Sequence, residues 1–167
     1  IFGFIKSLTK VIETLKPQFL VVCFDSAGET FRKTEYADYK AQRKPTPEEL
    51  IVQFEHLVEV LNAMRVPVLA LEGYEADDLI ASIVERCADN DVEAVIVSRD
   101  KDLFQLLSDT VSMYDDSKDF FFTPETLLKE KGLSPEQIPD WLGLMGDSSD
   151  NIPGVLGRSE ERRGGKE

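Results

Sequence analysis

Histidine, cysteine and long apolar runs are scarce in this chain of 167 residues. The one histidine, His56, falls in a helical segment, so a Ser-His-Asp triad or a zinc site has little to be built from. Two cysteines, Cys23 in an apolar run and Cys87 near the end of a helical pattern, make no disulfide framework. No apolar stretch approaches the ~18 residues of a membrane span, so no membrane partner is expected. No signal peptide is recognisable, which makes a cytoplasmic location the default expectation. There is no internal repeat and no low-complexity linker. The chain starts at Ile1 inside an amphipathic pattern and without methionine, which reads as a fragment lacking its natural N-terminus. Positive charge is also in deficit. Lys and Arg number 19 against 32 Asp and Glu, for a formal charge of −13. Taken alone, that balance disfavours nucleic acid, which attracts basic surfaces.

What is present is the material of one α/β domain. The length suffices for a single domain with a real core. Phe4, Ile5, Leu8, Val11, Ile12 and Leu15 recur at helical spacing, and Pro17 ends that helix. "QFLVVCFD" is a continuous apolar run ending in an acid, the pattern of a buried parallel strand. Pro47 opens a helix with Leu50, Ile51, Phe54, Leu57, Val58 and Leu61 on one face. "VPVLAL" is a short strand. The helix after it carries Ala76, Leu79, Ile80, Ile83 and Val84 on one side. "VEAVIVSRD" is a second apolar strand ending in an acid, "KDLFQLL" a short helix, and "TVSMYDD" and "DFFFT" are strands. "PETLLKEKG" and "SPEQIPDWLGLMG" are helices with start signals at Pro124 and Ser134. Alternating strands and helices predict a mainly parallel central sheet flanked by helices.

On such a sheet, ligands bind beyond the carboxyl ends of the strands. Asp25 and Asp100 end two apolar strands, and Asp102 follows two residues on. Glu75, Asp77 and Asp78 follow the "VPVLAL" strand and begin a helix. Five or six acids should therefore gather on one sheet edge. Asp147 and Asp150 of "MGDSSDN" join them, on one side of a single turn if that stretch is helical. Each acid alone has an ordinary reading. Acids complement the dipole of a helix's first turn, and they cap turns at strand ends. Crowded together they repel, and hard divalent cations with oxygen ligands, Mg²⁺ or Mn²⁺, would relieve that repulsion.

Residues 31–44, "FRKTEYADYKAQRK", are net +3 in a chain of −13. Arg32, Tyr36, Lys40 and Arg43 form one stripe if the segment is helical. Such a stripe can be a solvated face laced with i,i+4 pairs. Beside a cation-binding cluster it can instead guide a phosphodiester backbone, with Tyr stacking on an unpaired base.

"FDSAGETFRKTEYADYKAQRKPTPEEL", "EGYEADDLI", "SRDKDLFQLL" and "LMGDSSDNIPGVLG" together resemble the 5′-nuclease domain of bacterial DNA polymerase I, which is similar to the flap endonucleases and belongs to the PIN-like class. The resemblance covers residues 1 to about 157. It implies a 5′-nuclease α/β domain over 1–146, with the family's first strand and its metal-site aspartate absent before Ile1. A helical arch would occupy 26–47. The start of a helix-three-turn-helix DNA-binding element would occupy 147–157. The tail at 158–167 is unlike the family, and disorder is expected there. The implied metal ligands are Asp25, Glu75, Asp77, Asp78, Asp100, Asp102, Asp147 and Asp150, holding two or more Mg²⁺ or Mn²⁺ ions. Asp25, Asp78, Lys40 and Arg43 carry the implied catalytic roles. Arg32, Tyr36, Tyr39, Lys40, Arg43, Lys44 and Gly154 are the implied DNA contacts. The implied activity is metal-dependent cleavage of flapped or nicked DNA and of RNA–DNA primers near the single-strand junction, by a monomer. Whether a polymerase domain follows stays open. Two other readings stand beside it: a catalytically inactive DNA-junction binding module and a PIN-type ribonuclease.

Overall fold

The computed structural model describes residues 1–26 and 28–155, so the tail at 158–167 lies outside the described residues. Helix α1, Phe2–Leu15, buries Leu8 and Val11. It stops where Lys16 turns left-handed (φ 46°) and donates its N–H to Ile12 O, immediately before Pro17. The fixed φ and missing N–H of proline make that stop sharp. Strand β1, Val22–Cys23, pairs in parallel with β2, Val68–Leu69. Between them lie the short α2, Phe31–Glu35, and α3, Glu48–Ala63, with Glu48 and Glu49 in the first turn of α3. Leu8, Leu57, Leu61 and Val66 make one core, with Ile5, Ile12, Val22 and Val68 packed against it.

Only the C-terminal half of the expected α3 face is buried. Leu57 and Leu61 are covered, whereas Leu50, Ile51 and Phe54 remain 42%, 49% and 43% exposed. The two-residue strands are too short to cover more than the last turns of that helix.

Helix α4, Ala76–Ala88, follows β2. Strand β3, Ala94–Val97, pairs in parallel with β4, Val111–Asp115, which pairs antiparallel with β5, Phe120–Phe122. Here lies the larger core: Val84, Ile96, Leu103, Phe104, Leu107, Val111, Met113, Leu127 and Ile138. At about 25 cal/mol per Å² of apolar surface removed from water, burial of this kind is the main term holding the fold. Strand β3 alternates rather than being buried on both faces. Ile96 is 5% exposed, while Val95 and Val97 are 43% and 40% exposed.

The expected single parallel sheet is divided. The strand ladders form separate sheets, β1–β2 and β3–β4–β5, and α4 packs against both β1 and β3. The class is still mixed α/β, but small sheets replace one central one.

The C-terminal part follows its start signals. Helix α5, Pro124–Lys131, has Pro at its first turn, and the Thr123 Oγ1 accepts from the Thr126 N–H. It ends at Gly132 (φ 70°). A 3₁₀ turn at Pro135–Gln137 leads into α6, Ile138–Met145. The stretch after α6 is a β-hairpin, not a further helical turn: β6, Gly146–Asp147, pairs antiparallel with β7, Ile152–Pro153. Glycine is required at its closure. A Cβ on Gly146 (φ 71°) would lie 2.2 Å from Gly154 N, and one on Gly154 would lie 2.2 Å from Met145 O.

Candidate metal centre and nucleic-acid interface

Each acid is held by its local element. Asp25 follows β1, and its Oδ1 accepts the Ala76 N–H at 2.8 Å, which ties the end of β1 to the start of α4. Glu75 is the residue before α4, 8% exposed, and its N–H donates to Asp78 Oδ2 at 2.9 Å. Asp77 and Asp78 then sit in the first turn of α4, where the helix dipole favours them. Asp100 caps the 3₁₀ turn at Lys101–Leu106 by accepting the Asp102 N–H at 3.0 Å. In the β6–β7 turn, Asp147 Oδ1 accepts from the Ser149 N–H at 2.7 Å and the Ser149 hydroxyl at 2.6 Å.

All eight carboxylates line one cavity of about 1990 Å³, together with Arg32, Tyr39, Lys40 and Arg43. The convergence expected from strand ends and helix starts is thus met, and Asp147 and Asp150 reach the cavity from a hairpin rather than a helical turn. Among the described residues, no three of these side chains draw together into a set that could hold one ion. Half of them are instead paired with bases.

The electrostatics divide accordingly. Asp77 is pushed up to about 6, first by burial and then by the charges of Asp100, Asp25, Asp102 and Glu75. Asp102 is also raised, by burial and by Asp100 and Asp147, and its Oδ1 is buried without a hydrogen-bond partner. A buried acceptor left unpaired is costly, and it marks a place where a further group would be favourable. Asp78 goes the other way. The Arg32 guanidinium grips it with two bonds of 2.7 Å and holds it below the usual carboxylate range, against the effect of burial. For Asp147, burial raises the carboxyl, but the Ser149 bonds and Lys101, at 3.4 Å, outweigh it and bring it below that range.

The basic segment departs from the expected continuous helix. It is helical only over α2. Tyr36 is extended (φ −134°), turns follow, and Lys40 is left-handed (φ 54°). Local turn bonds, Tyr39 N–H to Tyr36 O, Ala41 N–H to Asp38 O and Arg43 N–H to Lys40 O, alternate with contacts that cross to the β6–β7 turn. The Lys40 N–H donates to Asp150 O at 2.9 Å, Asn151 Nδ2 donates to Asp38 O at 2.8 Å, and the Tyr36 hydroxyl donates to Asn151 O at 3.4 Å. The helical stripe is therefore replaced by a fold-back that still delivers two of its cations, while Arg32 reaches the cavity from α2. Lys40 Nζ lies 2.8 Å from Glu75 Oε1, and Arg43 pairs with Asp150. Tyr39, 7% exposed, has its hydroxyl 3.0 Å from Glu75 Oε2 and 3.2 Å from Asp150 Oδ2. Burial, followed by the Glu75 hydrogen bond, pushes that hydroxyl far above its ordinary range.

Three candidates stand apart. Tyr36 and Lys44 are exposed and do not line the cavity, and Gly154 closes the hairpin against Met145. One residue was missed. Lys101 pairs with Asp147 and lies 5.9 Å from the centre of the Trp141 ring. The only signal for it in the sequence was a base between two acids in "DKD".

Comparison with known proteins adds the following. Residues 1–132 match the model of the 5′-3′ exonuclease N-terminal resolvase-like domain family. The 5′-3′ exonuclease of Aquifex aeolicus is 43% identical over 157 residues, covering 94% of this chain and 54% of that protein. Bacillus subtilis DNA polymerase I is 41% identical over 165 residues, covering 96% of this chain and 19% of that protein. The chain thus spans about half the length of the first relative and about a fifth of the second. Among solved structures, T5 5′-exonuclease with bound divalent metal ions (zinc) superposes with a TM-score of 0.79 at 25% identity, over 96% of this chain and 63% of that one.

Proposed function

This chain belongs to the 5′-3′ exonuclease family through its N-terminal resolvase-like domain, and from that premise we propose that it is the cleaving part of a metal-dependent, structure-specific 5′-nuclease. Its substrates are flapped or nicked DNA and RNA–DNA primer junctions, cut near the single-strand junction. It acts as a monomer in the bacterial cytoplasm, on nucleoid DNA. The chain's relatives include both a 5′-3′ exonuclease and DNA polymerase I, and the latter supports a polymerase domain in the same longer chain as one of two arrangements open to the whole protein.

The observation that carries this reading is one cavity that all eight candidate carboxylates line, together with Arg32, Lys40 and Arg43. Carboxylates alone would repel a phosphodiester, and bases alone would need no such cluster. The donor set fits hard divalent ions, and Mg²⁺ or Mn²⁺ is the natural choice. All eight groups offer oxygen, the Asp102 Oδ1 has no partner, and Asp77 is strained by its neighbours' charge. Two or more ions would be held by Asp25, Glu75, Asp77, Asp78, Asp100, Asp102, Asp147 and Asp150. When bound, such ions supply Lewis acidity and water activation for in-line displacement at phosphorus.

The chain's own residues do the rest. Lys40 and Arg43 supply fixed positive charge for the reacting phosphate, and charge placed where it develops in the transition state accelerates the step. Arg32 holds Asp78 in one orientation through its two bonds. Tyr39 fixes Glu75 relative to Asp150. Tyr36 and Lys44, outside the cavity, contact the single strand as it approaches. Gly154 shapes the hairpin where the duplex is held.

The test uses the protein expressed from its complete reading frame and a flap substrate labelled at its 5′ end. Release of a product of junction length in Mg²⁺ or Mn²⁺, blocked by EDTA and by Asp78→Asn, is expected. Cleavage that survives EDTA would overturn the metal reading, and tight flap binding without cleavage in any divalent ion would leave only a junction-binding module.

A further inference from the structure

The eight carboxylates fall into two sets. Among the described residues, Asp25, Asp77, Asp100 and Asp102 have no basic side chain within ion-pair distance, whereas Glu75, Asp78 and Asp147 each have one and Asp150 has two. Arg32 takes Asp78, Lys101 takes Asp147, Arg43 takes Asp150, and Lys40 takes Glu75 at 2.8 Å with Asp150 at 3.9 Å. One half of the cleft is bare, and the other is neutralised from within. The cations that neutralise Glu75 and Asp150 come from the fold-back between α2 and α3, the same segment whose charge stands out in the sequence. That fold-back rests on the β6–β7 turn through a set of polar contacts and, among the described residues, no apolar core of its own: the Lys40 N–H donates to Asp150 O at 2.9 Å, Asn151 Nδ2 to Asp38 O at 2.8 Å, the Tyr36 hydroxyl to Asn151 O, the Tyr39 hydroxyl to Asp150 Oδ2, Gln42 Nε2 to Ser148 O, and Arg43 to Ser149 O and Asp150 Oδ1.

We propose that Lys40 and Arg43 are a counter-ion latch. Without nucleic acid they close the Glu75–Asp150 side of the cleft, a divalent cation there and the folded-back segment exclude one another, and a phosphodiester strand resolves the competition by drawing both side chains onto its phosphates. This rests on the divalent-cation reading above and deepens it. The physical basis is competition for the same oxygens. A largely buried carboxylate pair needs a counter-charge, and an ammonium supplies it at 2.8 Å. A dication at those oxygens repels that ammonium and leaves it without its partner. At the bare set, Asp25, Asp77, Asp100 and Asp102, an approaching ion has no paired ammonium or guanidinium among the described residues to displace. Linkage then makes the effect reciprocal. Whatever the latch costs the ion, the ion costs the latch, and phosphates that occupy Lys40 and Arg43 strengthen ion binding on that side.

The experiment is Mn²⁺ titration by calorimetry of the protein expressed from its complete reading frame, compared with Lys40→Ala/Arg43→Ala. The double variant is expected to bind one class of Mn²⁺ about five-fold more tightly, at the low end of ordinary coupling. A single-stranded oligonucleotide is expected to tighten Mn²⁺ binding in the wild type and not in the variant. Limited trypsinolysis of the wild type needs no variant to fold. Cleavage after Lys40 and Arg43 should accelerate in Mn²⁺ while the rest of the chain is protected. Equal Mn²⁺ affinity in both proteins, or Mn²⁺ that slows cleavage after Lys40 and Arg43, overturns the latch and leaves the nuclease reading intact. Absence of Mn²⁺ binding in both proteins overturns the divalent-cation reading, and the latch with it.

Discussion

Asp77→Asn should make the metal-free protein more stable, although it removes a charged group from the first turn of a helix. The carboxyl is pushed up to about 6 from an ordinary 3.8, by burial and by four neighbouring acids. Undiscounted, a shift of about two units corresponds to roughly 3 kcal/mol. The side chain is only half-buried, so solvent screening reduces that to about 1 kcal/mol. The folded pKa lies above the unfolded one, so the folded state holds the extra proton between about pH 4 and about pH 6. Asp77's contribution therefore improves as pH falls through about 6 and is lost as pH rises through it. At pH 8 in EDTA the amide removes the repulsion, and the expected gain of about 1 kcal/mol is about 3 °C in Tm for a chain of this size. Below the unfolded-state value of 3.8 both the folded and the unfolded wild type carry the proton at this position, and the difference should nearly vanish. In millimolar Mg²⁺ the order should reverse, because a ligand that binds only the folded state stabilises by mass action and the variant has lost a ligating oxygen charge. Thermal unfolding of the two proteins under the three conditions checks all of this. A variant less stable than wild type in EDTA at pH 8 would show that the acids do not repel at Asp77 and would refute the reasoning.

Three further outcomes are expected. Asp78→Asn should abolish flap cleavage with flap binding retained, and should cost about 1–2 kcal/mol in unfolding free energy because the paired bonds to Arg32 weaken; wild-type cleavage rates would remove Asp78 from the chemistry. Gly146→Ala should cost about 2–3 kcal/mol, since φ is 71° and the new Cβ would meet Gly154 N at 2.2 Å; denaturant unfolding measures it, and a neutral result would mean the hairpin closes differently. Lys40→Ala with Arg43→Ala should lose about 2–4 kcal/mol of transition-state stabilisation in single-turnover cleavage, more than is lost in duplex binding at the same salt. Equal losses in both would reduce the two residues to a general phosphate grip.

Most elements were legible because local rules and tertiary packing agree over them. Helix α1 stops before Pro17, α5 begins at Pro124, and β4 and β5 appear where their apolar runs predict them. The exceptions share a cause. The β6–β7 hairpin, the 36–43 fold-back and the divided sheets all depend on partners distant in sequence. "MGDSSDN" fits a helical turn or a hairpin equally well locally, and the Gly146–Gly154 approach selects the hairpin. "YADYKAQRK" can continue a helix until Asp150 and Asn151 offer its backbone other partners.

The sequence by itself determined the chemistry available: oxygen ligands in excess, one histidine, and a basic segment embedded in an acidic chain. It also determined that the acids would meet, since strand ends and helix starts on an α/β scaffold project to one edge. Tertiary structure alone decided how those charges are apportioned. Charge pairing acts over a few ångströms, and Arg32 and Asp78 are 46 residues apart, while Arg43 and Asp150 are 107 apart. No local pattern states which base will find which acid. The division into a neutralised half and a bare half therefore appears only once the chain has folded back on itself.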